Sequence, residues 1–183
     1  MTYYGPKDMA ASLRTVRKNT IIIAEEIGEE HYGFRPTPET RSVAQLLMHI
    51  GLVPRIQEQI HAIERRTTLV GFDFPAFITR LIEEEQRALP KVKIVEFLRT
   101  EGDRFAGWLE GVSDEFLAER VTMPSGMVPD SKTRFEMLSA PKEHEMHHRG
   151  QLMLMERLLG IVPHMTREMM ARFAAMASAP KSA

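Results

Sequence analysis

The residues best equipped for chemistry in this chain occupy one helical stretch, His144-Glu145-Met146-His147-His148-Arg149-Gly150-Gln151. His144 and His148 are four apart, so on a helix they stack on one face, where two imidazoles can reach one divalent metal. The same letters spell H-E-x-x-H, in which Glu145 would be the general base beside a zinc ion. That protease reading takes its third ligand from a glutamate further along, and Glu168 stands there. Two things count against it: such enzymes lay their substrate along a strand edge, and no strand is expected here. Gln151 and Leu154 also occupy positions where the longer histidine variant needs Gly and His.

A three-histidine site needs one more imidazole from elsewhere. His49 is the best placed. At about 100° per residue it lies within about 60° of Leu46 and about 40° of Val53, on or beside an apolar helix face. Three neutral imidazoles leave a metal its full charge, with a fourth position open to water, a thiol or a carbonyl. A purely structural site would want a fourth protein ligand, and Glu145 or Glu101 would have to supply it. Glu101 falls in an apolar stripe but reads as a surface residue. Glu145 remains the one candidate for a catalytic group. His147 sits about 100° round from His148 and suits packing or support of the ligands better than ligation. His31, His61 and His164 receive no role, and Arg149 reads equally as a surface residue or a carboxylate partner.

Composition narrows the partners. The 183 residues suffice for one domain with a sizeable core. A net charge of −1 gives no basic footprint for nucleic acid or an anionic membrane. The chain has no cysteine, so disulfides, thiolate ligands and a cysteine nucleophile are excluded. Any metal must then be held by His, Asp or Glu, which suits zinc, nickel, iron or manganese. The longest apolar run, Ile21 to Ala24, is too short to span a membrane. No basic region leads into an apolar stretch with a small-residue cleavage site, so a cytoplasmic protein is expected. The 13 methionines read as flexible core filler.

The elements that must position the histidines are helices. Met9, Leu13, Val16, Thr20, Ile23 and Ile27 recur at threes and fours, predicting a helix over 7–27 stopped by Gly28. A Pro- and Gly-containing loop covers 31–40. Ser42 caps a second helix through Ile63, which Pro54 should kink. The connection 67–90 holds a short amphipathic helix over 74–88. A third long helix covers 91–112, loop fills most of 113–130, and a fourth covers 131–159 with a possible break at Pro141. In it Gly150 suggests close approach of a neighbouring helix. Gly160 to Pro163 stops the fourth helix, and a last helix over 166–176 precedes a small-residue tail expected to fray. The fold class is therefore all-α, a four-helix bundle with short extra helices in the 67–90 connection and at the C-terminus. Residues 1–163 form the bundle, and 164–183 belong to the same domain as its C-terminal helix and tail.

The stretch Phe34-Arg-Pro-Thr-Pro-Glu-Thr-Arg-Ser-Val43, followed by His49, and the later pattern His144 to Gln151 resemble, in that order, the DinB/YfiT-like family of metal-dependent four-helix-bundle enzymes. The resemblance spans about residues 7–163. It implies the metal-ligand role for His49, His144 and His148, a bound divalent zinc, nickel or iron, and a homodimer. Some members are transferases or isomerases that use low-molecular-weight thiols. The function expected is a metal-dependent thiol S-transferase or hydrolase acting on a small molecule, with a low-molecular-weight thiol as its co-substrate. The alternatives are a non-catalytic metal-stabilised bundle that binds a partner and, more weakly, the zinc protease. The absence of cysteine fits a thiol that arrives from solution.

Overall fold

The computed structural model describes residues 4–178. Its long elements are α1 (Pro6–Glu26), α2 (Val43–Leu52) continued by α3 (Pro54–Glu58), α5 (Lys91–Glu110) and α7 (Arg134–Leu158). Shorter ones are α4 (Phe74–Glu85), α6 (Asp114–Ala118) and α8 (His164–Ser178). Their starts follow local chemistry. Ser42 Oγ accepts the Gln45 N–H at 3.2 Å while the Gln45 side chain accepts the Ser42 N–H at 3.1 Å, a reciprocal cap that sets the first turn of α2. Thr133 and Glu136 do the same for α7. Asp73 caps α4, accepting from Ala76 N–H at 3.0 Å. Gly160 follows α7 with φ +80°, the left-handed turn that ends it.

The extensive packing runs α1 on α5, α5 on α2, α2 on α7 and α7 on α1. The four long helices thus form a closed ring, with the sequence neighbours α1 and α2 across its diagonal. The expected stripes supply the core: Met9, Leu13 and Ile23 of α1 and Ile27 just past its end are buried with Leu46, Leu47 and Ile50 of α2, Ile94, Leu98 and Phe105 of α5, and Leu138, Leu152 and Met155 of α7. This is the four-helix bundle expected.

Three local features differ from expectation. The second helix changes geometry at Pro54, as expected from its missing N–H, but past Glu58 it continues as an unexpected π-helical turn over Gln59–Ile63. Pro141, by contrast, does not divide the last long helix; it is buried inside α7, which runs on to Leu158. Residues 113–133 are not loop running into helix. They hold α6 and a two-stranded antiparallel ribbon, β1 (Arg120–Thr122) with β2 (Ser131–Thr133), in register Val121 to Lys132. Strands of three residues are too short to show alternation.

Two composition readings also shift. Met9, Met48, Met123, Met137 and Met155 are buried filler, but Met169, Met170 and Met176 are exposed on α8, which packs against α1 alone to any extent. A Cβ on Gly150 would meet nothing within 4 Å among the described residues, so the close helix approach expected there is not found. The close approach is at Gly51, where a Cβ would stand 2.4 Å from the Phe97 ring of α5. Of the expected frayed tail, residues 179–183 lie outside the described residues. No helix among the described residues is long and apolar enough to cross a membrane.

Candidate metal centre

The bundle brings His49 of α2 and His144 and His148 of α7 to one point. Each offers a ring nitrogen, and the three lie within 4.8 Å of one another. His144 Nε2 is 3.1 Å from His49 Nε2 and 3.1 Å from His148 Nε2. His148 is buried, and the other two are half-buried.

The outward nitrogens of two rings are oriented. His49 Nδ1–H donates to Glu85 Oε2 at 3.0 Å, and Arg41 Nε donates to Glu85 Oε1 at 2.6 Å. His148 Nδ1–H donates to Gln151 Oε1 at 2.8 Å. These oxygen acceptors assign the tautomers, leaving the Nε2 lone pairs of His49 and His148 facing inward. This is the support that metal-bound histidines ordinarily receive, a carboxylate or amide fixing the ring from behind.

The electrostatics favour the neutral form of two rings, His144 and His148. Burial pushes His144 down to about 4, and the neighbouring histidines add to the shift. Burial also lowers His148, partly opposed by its bond to Gln151. For Glu85, burial works against ionisation, but the bonds from His49 and Arg41 prevail and hold it below the usual carboxylate value. A neutral imidazole is the ligand form.

The donor set fits a divalent metal. Three Nε2 atoms converge, and at most one proton, on His144, is available to share between them. If His144 instead carries its proton on Nδ1, that buried atom has no hydrogen-bond partner among the described residues. A cation between the rings satisfies three lone pairs that otherwise oppose one another. Three nitrogen ligands are the protein complement of an open, catalytic site.

Other residues singled out in the sequence lie elsewhere. Glu145 turns away from the cluster and is bound by Arg17 of α1 in a buried ion pair at 2.9 Å. Glu168 is exposed on α8 and, among the described residues, its ion-pair partner is Arg172 at 3.9 Å. Neither stands where the protease reading needs it. Glu101 is not a surface residue. It is 7% exposed, bonded to Arg55 at 2.9 and 3.1 Å and to Arg104 at 2.6 Å, a pairing that makes a carboxylate tolerable in an apolar stripe. His147 is exposed, 3.3 Å from the Gln151 amide, and Arg149 is half-buried. Glu85, Arg41 and the role of Gln151 are the site residues that sequence reasoning misses. Arg41 and Gln151 lie inside the two motif stretches, whereas nothing distinguishes Glu85 from Glu83 and Glu84.

Beside His148 the surface opens into a cleft of about 650 Å³, bounded by α2, α4, α7 and the 35–41 loop. Of the three histidines, His148 is the one that lines it.

The DinB superfamily profile matches residues 12–152, and the chain belongs to that superfamily. Two solved structures share its fold. YjoA, a DinB-like protein of Bacillus subtilis, is 18% identical, with a TM-score of 0.60 over 83% of this chain and 92% of its own. YfiT of Bacillus subtilis is 14% identical, with a TM-score of 0.66 over 88% of this chain and 91% of its own. YfiT is described as a probable metal-dependent hydrolase with an unusual four-helix bundle topology. No curated protein matches the sequence.

Proposed function

We propose that this protein is a divalent-metal-dependent enzyme, a thiol S-transferase or hydrolase of small molecules, with His49, His144 and His148 as ligands to zinc, nickel or iron. The observation that carries the reading is the convergence of three inward-facing Nε2 atoms beside a cleft, with no fourth protein ligand among the described residues. A metal held there would act as a Lewis acid, lowering the pKa of a thiol or water at its open position.

The chain's own residues do the rest. Glu85 and Gln151 fix the tautomers and directions of His49 and His148. Arg41 holds Glu85 ionised, so the His49 ring keeps its Nδ1 proton. Leu46 and Met155 line the cleft with apolar surface. Glu85 has both oxygens engaged and Glu145 is held by Arg17, so neither is disposed as a general base. Activation of the nucleophile, whether thiol or water, would then fall to the metal, and the electrophile's leaving group would depart to the cleft.

Elemental analysis of untagged protein tests the centre: about one metal per chain is expected, lost in His49→Ala and in His148→Ala. The reaction is tested on metal-loaded protein with a thiol-reactive chromogenic electrophile plus a low-molecular-weight thiol, against chromogenic esters without thiol. Thiol-dependent turnover that disappears in His148→Ala supports the transferase, and ester cleavage alone supports the hydrolase. A sharp fall in melting temperature on chelation, with neither turnover, would establish the metal-stabilised bundle instead.

A further inference from the structure

The cleft beside His148 has walls of two kinds, and together they describe a ligand. One wall is cationic. Arg35 and Arg41 both line it. Arg41 spends Nε on Glu85, while its two terminal NH2 groups have no hydrogen-bond partner among the described residues. Its side chain is only 39% exposed and is steadied by that ion pair. Glu85 bridges it to the cluster, accepting from Arg41 Nε at 2.6 Å and from His49 Nδ1 at 3.0 Å. A guanidinium bound at Nε still presents a fork of parallel N–H groups, the geometry that takes a planar carboxylate.

The other wall is apolar. Ile82 of α4 and Leu154 of α7 line the same cleft and are 46% and 55% exposed, and buried Leu46 and Met155 line it as well. Two carboxylates also line it. Glu85 is neutralised by Arg41 and His49, and Glu39 is exposed on the loop. A volume of about 650 Å³ matches a small-molecule site rather than a peptide groove.

We propose that the cleft selects a small organic acid, its carboxylate held by Arg41 and its apolar body lying between Ile82 and Leu154. The inference rests on the metal-centre reading only for which end of the substrate reacts. The acid is bound by the bundle itself, with or without metal.

The test uses octanoate and its uncharged counterpart 1-octanol, titrated calorimetrically into the full chain after metal removal by chelation. Without metal, carboxylate coordination cannot mimic the effect, so failure of the metal centre and failure of the anion site are separately visible. Octanoate is expected to bind at least about ten-fold more tightly than 1-octanol, the worth of a charge-assisted hydrogen-bond pair. Arg41→Gln should remove that preference, and Arg41→Lys should restore part of it. Leu154→Asn, at an exposed position that leaves folding intact, should weaken octanoate by about five-fold or more while Arg41 is untouched. Equal binding of acid and alcohol, or octanoate affinity unchanged in both Arg41→Gln and Leu154→Asn, would overturn the proposal.

Discussion

Arg17 and Glu145 form a buried ion pair that ties α1 to α7 and takes the H-E-x-x-H glutamate out of the metal centre. Nε of Arg17 lies 2.9 and 3.1 Å from the two Glu145 oxygens, and Nη2 lies 3.0 Å from the second. Nη1 donates to Leu98 O at 2.6 Å, so α5 is tied in as well. Nη2 also approaches Ile50 O at 3.4 Å, the carbonyl left without its helical partner because Pro54 has no N–H. Gly102 makes the room: a Cβ there would sit 2.8 Å from Arg17 Cγ. A motif letter that suggests a base is here part of the bundle's frame.

The consequence is a separation of stability from metal binding. Glu145→Gln leaves Arg17 buried without its counter-charge and is expected to cost about 3 kcal/mol of folding stability. Metal content should be unchanged. Chemical denaturation and elemental analysis of the one variant check both halves. A variant as stable as the parent but inactive would restore Glu145 as the base.

His49 and Glu85 give the converse case. Glu85→Gln keeps an acceptor behind the ring but loses the charge that holds the Nδ1 proton. Metal affinity is expected to fall about 10- to 100-fold, while His49→Ala abolishes binding. Competition with a chromophoric chelator reads the difference. Full affinity in Glu85→Gln would mean that the carboxylate serves only to pair Arg41.

The histidines and the bundle are legible in the chain because both depend on local spacing. His144 and His148 share a face by helical arithmetic, and His49 lies among the apolar residues that turn α2 inward. What supports them depends on tertiary neighbours. Glu83, Glu84 and Glu85 are successive residues spread around a helix, and only the packing of α4 on α2 brings the third of them to His49. Arg17 sits between Val16 and Thr20 in an apolar stripe, where its burial depends on Glu145 from 128 residues away. Glu101 looks like a surface carboxylate until Arg55 and Arg104 close on it. The ribbon of β1 and β2 escapes pattern reading because it is made by pairing across a turn rather than by a periodic run.

Gly150 and Gly51 should respond oppositely to the same change. Gly150 is exposed inside α7 with open space where its Cβ would go, so Gly150→Ala is expected to stabilise by about 1 kcal/mol through helix propensity. Gly51→Ala drives a methyl to 2.4 Å from Cε1 of the half-buried Phe97 ring, which must move off the helix it packs on, and should cost about 1–3 kcal/mol. Paired thermal melts decide it. A destabilising Gly150→Ala would show that a second molecule or partner packs there.

Glu156 is the residue whose ionisation should mark the pH dependence of stability. It is fully buried in α7, and neither oxygen has a hydrogen-bond partner among the described residues. Burial pushes its carboxyl up to about 7, and the charge of Glu26 adds to the shift, opposed by Arg167 and Arg157. An unfolded glutamate titrates near about 4.3. Between those values the folded state holds a proton that the unfolded state has released, so this residue's contribution falls as pH rises and is fully lost above about 7. His61, His144, His148 and His164, all lowered by burial, contribute slopes of the opposite sign, so the measurement must be a difference between variant and parent. Glu156→Gln removes the charge and keeps the shape. It is expected to match the parent at pH 4 and to exceed it by about 2–4 kcal/mol at pH 8. Urea denaturation of both proteins across that range is the check. Parallel profiles would mean that Glu156 is ionised in the fold and finds a counter-charge there.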